Sequence, residues 1–164
     1  MAFKMTEHVA DMGKFVISEQ PDILICLALG SCVGVSLYDP QKKMGGLAHI
    51  MLPSTEENDI SKISNPDKYA NYAIPRMLEE LKKKGCNQST LIAKIAGGAH
   101  MFKGLENTVS DIGKKNSDSV KQVLSQLNIK ISAEQIGGSI GRTVKVYLDS
   151  GDYEIKSKEG IIKI

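Results

Sequence analysis

Residues 23–52 read ILICLALGSCVGVSLYDPQKKMGGLAHIML. Three short apolar runs, ILICLAL, CVGVSLYD and MGGLAHIML, are divided by two turn signals, LGS and DPQK. Apolar runs of this length between Gly, Ser, Pro and Asp read as strands, not helices. GKFVIS, upstream, adds a fourth. Chain neighbours joined by short turns usually pair, so the block predicts an antiparallel meander that must bury one face.

The remaining elements alternate. NPDKY opens a helix, with Asn65 as cap and Pro66 at the first helical position. Tyr69, Tyr72, Ala73, Met77, Leu78 and Leu81 lie on its apolar face, Gly85 stops it, and Pro75 predicts a kink or break. LIAKIAGGA reads as a buried strand. A second helix is predicted over residues 117–127, with Val120, Val123, Leu124 and Leu127 inward and Asn116 as its cap. IKISAEQI is a strand, and TVKVYLDSGDYEIKS a hairpin turning at residues 149–152. Strands in a block, then helix, strand, helix, strand and hairpin, favour an α+β fold over a doubly wound sheet. With no repeat and no low-complexity linker, residues 1–164 read as a single domain.

Composition excludes several functions. The net charge is +2 with lysines interleaved among acids, which argues against nucleic-acid partners and membrane surfaces. There is no Trp, and aromatics are 5%, too few for a base-stacking platform. No apolar run reaches the ~20 residues of a membrane span. The opening MAFKMTEHVADMGK is unlike a signal peptide, so a cytoplasmic protein is expected. Three cysteines (Cys26, Cys32 and Cys86) lack CxxC spacing, against a disulfide framework or a zinc site. That leaves Cys32 as core filler or nucleophile.

DPQK carries a geometric expectation. Asp followed by Pro suits a type I turn. A hairpin closing around Pro40-Gln41, or around residues 39–42, makes residues i and 81 − i face each other, which sets His49 opposite Cys32. Directly opposed side chains share a face, with Cβ atoms about 4.5–5.5 Å apart. A bend at Leu29-Gly30 would also return Cys26 beside Cys32, and Gly30 frees N–H groups near Cys32 for an oxyanion hole. An imidazolium beside a thiol lowers its pKa and protonates the leaving group. A buried cysteine is more often core than nucleophile; it is the pairing with His49 that shifts the balance.

These residues carry a resemblance. LGSC, His49 seventeen residues after Cys32 in GGLAHIMLP, then KYA and KIAGGAHMF, resemble the chemoreceptor glutamine deamidases of the CheD family over residues 14–147. The resemblance implies a layered α+β sandwich like that of the cytotoxic-necrotizing toxins. It implies conversion of chemoreceptor glutamines to glutamate in chemotaxis adaptation, at receptor arrays in the cytoplasm, with no cofactor. It implies chemoreceptors and a CheC-type phosphatase as partners. It further implies Cys32 as nucleophile and His49 as general base and acid. Where the family has a Thr six residues before the cysteine, this chain has Cys26, a poorer hydrogen-bond acceptor. Either the main chain at position 26 orients His49 or catalysis is slower.

Further contacts with substrate or partner are expected at Gly30 and Ser31, at Gly97 and Gly98 (room for a substrate backbone), and at Met101 and Phe102, which either grip a receptor helix or CheC or form a packed turn. His100 is a weaker candidate base. GGSIGR lacks the strand–turn–helix setting of a dinucleotide site. Residues 53–65 have no apolar period and are expected to form a mobile loop near the site. Two alternatives stand beside the deamidase: a non-catalytic adaptor binding receptor or CheC, and a thiol amidase or peptidase acting on other substrates.

Overall fold

The structure, a computed structural model, describes residues 3–101 and 111–164. Among these the chain runs β1 (Glu7–Val9), β2 (Phe15–Glu19), β3 (Ile23–Leu29), β4 (Val33–Asp39), β5 (Met44–Ile50), α1 (Ala70–Lys83), β6 (Ile92–Gly97), α2 (Ile112–Gln126), β7 (Lys130–Ile136), β8 (Arg142–Tyr147), β9 (Tyr153–Ser157) and β10 (Gly160–Lys163). The strands form two five-stranded sheets, ordered β1-β3-β8-β9-β10 and β2-β5-β4-β6-β7.

Period-2 alternation explains the layering. On β4, Val33, Val35 and Leu37 point into a core shared with Ala73, Ile74, Met77 and Leu81 of α1 and Val120 and Leu124 of α2. Tyr38, with Leu47 of β5, points into a second core with Leu24 and Cys26 of β3, Val144 and Val146 of β8, and Tyr153 and Ile155 of β9. The helices therefore cover one face of the second sheet and the first sheet covers its other face. The expected layered α+β sandwich is present.

The meander is not. β3 pairs with β1 and β8, whereas β4 pairs with β5 and β6, so residues 30–32 carry the chain from one sheet to the other. The β3–β8 register shifts between Cys26 and Leu29, where Ala28 has φ +54°. Irregularities of this kind recur at corners where a chain changes sheets. Two cross-sheet bonds close the corner: Tyr153 Oη donates to Gly34 O (2.7 Å), and Arg142 Nη1 to Gly97 O (3.2 Å).

The DPQK hairpin forms with a shifted register. Asp39 pairs with Met44, leaving a four-residue loop of Pro40, Gln41, Lys42 and Lys43. The Asp39 carboxylate accepts from the N–H groups of Gln41 and Lys42, and Lys43 takes a left-handed φ of +51°. Asp39 thus caps the loop from the last strand position, and the ladder sum becomes 83 in place of 81. His49 faces Gly34, not Cys32. A shift of two keeps the face that a shift of one would have reversed.

A single 3₁₀ turn, Pro66–Lys68, precedes α1, and the helix proper begins at Ala70. The Asn65 side chain donates to Gly13 O (3.1 Å) in place of capping. α1 runs through Pro75 without a break. A proline this early forfeits one main-chain bond, and the buried face of Ala73, Ile74, Met77, Leu78 and Leu81 outweighs it. Gly85 ends the helix as expected, with φ +94° and the paired bonds Gly85 N–H to Lys82 O and Cys86 N–H to Leu81 O. α2 starts five residues earlier than the sequence suggests, capped by Asp111, which accepts from the Lys114 N–H. Asn116 is therefore inside α2, not its cap.

Residues 53–65 are not a free lid. Ser54 bonds to Ser119 of α2, Thr55 exchanges two bonds with the Asn71 carboxamide, and Tyr72 Oη donates to Glu57 O (2.7 Å). The helices hold the first part of the segment, through residues 54, 55 and 57, whereas residues 58–62 are exposed.

Candidate active site around Cys32 and His49

Cys32 lies in the crossing between the sheets, one residue before β4, half-buried against the second core. Its loop is clamped by the end of β6: Gly98 N–H donates to Cys32 O (2.9 Å) and Ala99 N–H to Gly30 O (2.9 Å). This contact explains Gly97 and Gly98. A Cβ on Gly97 would stand 2.2 Å from Cys32 O, and one on Gly98 2.0 Å from Ser117 Oγ. The close approach these glycines permit is by the chain's own atoms, the Cys32 carbonyl at Gly97 and the Ser117 side chain and Gly113 carbonyl at Gly98. Gly113 of α2 serves the same packing, since a Cβ there would meet Ala99 O at 2.4 Å.

His49 is near the end of β5 and only 2% exposed. Its Nδ1 lies 3.1 Å from Ala10 O. A carbonyl only accepts, so Nδ1 carries the hydrogen and Nε2 is left with a bare lone pair. Nε2 is buried and has no hydrogen-bond partner among the described residues. The ring is therefore held in the tautomer a general base requires, and the group that holds it is Ala10, which the sequence did not suggest. Cys26 is not the orienting residue, by side chain or by carbonyl. It is fully buried, and its Sγ lies 3.7 Å from where a Cβ on Gly34 would stand. It does lie beside Cys32, as the expected bend required.

His49 faces Gly34, and Cys32 stands two residues before Gly34, just beyond the end of the ladder, packed against the second core. No hydrogen bond joins the Cys32 thiol to the imidazole. Burial pushes the Cys32 thiol up and the His49 imidazole down. Both effects favour a neutral thiol beside a neutral imidazole over the ion pair the sequence suggested.

A surface depression of about 380 Å³ reaches His49 and is lined by Val9, Ala10, Asp11, Met12 and Leu27. Val9, Met12 and Leu27 are exposed apolar side chains, so its rim is greasy. Met101, 44% exposed, covers Gly30: a Cβ on that glycine would lie 3.2 Å from Met101 Cγ. Ser31 contributes its carbonyl, which accepts from Asn116. Phe102 lies outside the described residues. His100 is 3.6 Å from Asp111 in a separate depression at the start of α2.

Two residues the sequence reading missed shape this region. Arg142 is buried and donates to Gln135, Gly97 and Gly137, which fixes the end of β6 that holds the Cys32 loop. Asn116 is fully buried and bonds two site carbonyls. Its signal was available. Asn116 precedes Val120, Val123 and Leu127 at helical spacing, a polar side chain on an apolar face.

The sequence profile of the family described as CheD chemotactic sensory transduction matches residues 51–157. A protein of Desulforamulus reducens named probable chemoreceptor glutamine deamidase CheD is 48% identical, over 93% of this chain and 92% of its own. Proteins of that name from Methanococcus vannielii and Clostridium novyi are 48% and 45% identical, over 88% and 91% of this chain and 91% and 90% of their own. The Desulforamulus alignment omits less than a tenth of this chain, too little to leave out the stretch from Cys26 to His49. A crystal structure of the Bacillus licheniformis hypothetical protein YfiH aligns with a TM-score of 0.44 and 16% identity, over 76% of this chain and 49% of that one, a likeness too slight to bear on function. On the profile and the extent of these identities, the chain belongs to the CheD family.

Proposed function

We propose that this protein hydrolyses glutamine side chains of chemoreceptors to glutamate, with Cys32 as nucleophile and His49 as base and then acid. The observation that carries the reading is the His49 ring: Nδ1–H committed to Ala10 O and Nε2 bare, opposite Gly34, which is two residues along the chain from Cys32. The names of the relatives supply the substrate class.

The steps balance with water as the only co-reactant. Nε2 takes the Cys32 proton as Sγ bonds to the carboxamide carbon. The carbonyl π electrons move to oxygen, and in this reading main-chain N–H groups of the turn at residues 30–32 donate to that oxyanion. Nε2–H returns its proton to the amide nitrogen, the C–N bond breaks, ammonia leaves, and a thioester remains on Cys32. Water then gives a proton to Nε2, attacks the thioester and expels the Cys32 sulfur, which recovers the proton. Starting from a neutral pair, His49 acts as a true general base.

The greasy rim of Val9, Met12 and Leu27 suits the apolar flank of a substrate helix. Met101, lying over the nucleophile loop, suits a contact that receptor and a CheC-type phosphatase would compete for. The adaptor and general amidase readings have no comparable support. The test is incubation of the protein with the cytoplasmic portion of its own receptors, followed by peptide mass mapping. Glutamine-to-glutamate conversion is expected with the parent and absent with Cys32→Ala and His49→Ala. Parent and Cys32→Ala giving the same map would refute the enzyme reading.

A further inference from the structure

We infer that Asn116 is a positioning residue for this site, holding the nucleophile loop against the histidine strand; the inference rests on the proposed deamidase reading. Its Nδ2 donates one hydrogen to Ser31 O and the other to Met51 O, each at 3.0 Å. Ser31 immediately precedes the nucleophile, and Met51 stands two residues beyond His49.

The ladder shows why a side chain is needed there. β4 and β5 pair from Asp39↔Met44 to Val33↔Ile50 and then part. Cys32 O is taken by the Gly98 N–H, and the Met51 N–H goes to Lys68 O. The carbonyls of Ser31 and Met51 cannot bond each other, because both only accept. A neutral –NH₂ group is the smallest side-chain unit that donates to two acceptors at once. Serine has one donor, and lysine would bury a charge.

Burial makes packing alone a poor explanation. Asn116 is 0% exposed on the face of α2 that otherwise presents Val120 and Val123. Its Oδ1 is buried with no partner among the described residues, a cost that a leucine of similar size would avoid. The helix start is shaped to deliver it, because Gly113 lets the first turn of α2 approach Gly98 and Ala99. The two arms then grip residues 30–32 from both sides: β6 through Gly30 O and Cys32 O, α2 through Ser31 O. In the deamidase reading this fixes where Sγ stands relative to Nε2.

The experiment is a double-mutant cycle read on Cys32 alkylation by iodoacetamide, which needs no substrate, alongside kcat and KM for deamidation. Asn116→Leu keeps the volume and removes both donors. Asn116→Ser keeps one donor and is the second variant should the first fail to fold; circular dichroism melts confirm folding for each. His49→Ala is expected to slow alkylation of the parent. Asn116→Leu should slow it similarly, and adding Asn116→Leu to His49→Ala should slow it little further, because both changes break the same coupling. Deamidation kcat should fall about 10- to 100-fold with KM nearly unchanged, and Asn116→Ser should lie between. A folded Asn116 variant with parental kcat, or one whose alkylation remains fully dependent on His49, would overturn the inference. Failure of the parent to deamidate receptor would instead strike the proposed function, and the alkylation cycle would still decide whether Asn116 couples the two residues.

Discussion

Gly97→Ala tests whether the loop clamp matters. The added Cβ would stand 2.2 Å from Cys32 O, and Gly97 has φ +117°, a region L residues rarely enter. Separating those atoms to normal contact moves the Cys32 carbonyl by about an ångström, which breaks or weakens its bond from the Gly98 N–H. Backbone strain of this kind costs about 1–3 kcal/mol. The lost hydrogen bond adds about 0.5–1.5 kcal/mol. Together they cost about 1.5–4.5 kcal/mol, and for a chain of this size each kcal/mol lowers Tm by roughly 2–4 °C. Calorimetry should therefore show a fall of about 3–18 °C. Deamidation should fall further than stability explains, by about 100-fold, because a displacement of about an ångström at Cys32, the proposed nucleophile, is costly in itself. A Gly97→Ala protein that melts with the parent and alkylates Cys32 at the parental rate would refute the reasoning.

Three other outcomes are expected. His49 titrates below its ordinary range because burial disfavours the charged ring, so the unfolded chain takes up that proton first; stability should fall as pH drops from about 6.5 through the lowered folded value, and His49→Gln should flatten that part of a melt-versus-pH curve. Iodoacetamide should modify Cys32 in the native protein while the buried Cys26 and Cys86 stay silent until denaturant is added, and the rate should climb into the alkaline range because burial raises the Cys32 thiol; a plateau reached below neutral pH would contradict the neutral pair. Cys26→Thr and Cys26→Ala should both keep kcat within about threefold of the parent, since Ala10, not residue 26, holds the His49 ring; a rate gain with Thr and a loss with Ala would restore a catalytic role for that side chain.

What the sequence revealed follows the physics of periodicity. Strands β2 to β9 and both helices stand within a few residues of where apolar spacing puts them, because burial on one face imposes the period. Period 2 identifies a strand but not its partner. ILICLAL and CVGVSLYD look like neighbours in a meander and lie in different sheets, a choice made by the turn between them and by β8, more than a hundred residues away. β1 and β10 went unseen because they are short edge strands with mostly exposed side chains.

The site was legible in the same uneven way. Placing His49 on the face toward the sheet corner needed only parity, and parity survived the change of hairpin register because the ladder sum moved from 81 to 83, a shift of two, not one. What holds the pair was not legible, because it is mostly main chain. Ala10 O orients the imidazole, Gly98 N–H and Ala99 N–H clamp the loop, and Asn116 reaches two further carbonyls. Every residue type has a carbonyl, so none of these contacts marks the sequence except where it demands glycine or an amide on an apolar face. That same main-chain origin explains how a cysteine can stand at position 26, where the resemblance leads one to expect threonine. Once a backbone carbonyl from residue 10 fixes the tautomer, residue 26 has only to fill space between the sheets, and a buried thiol does that well.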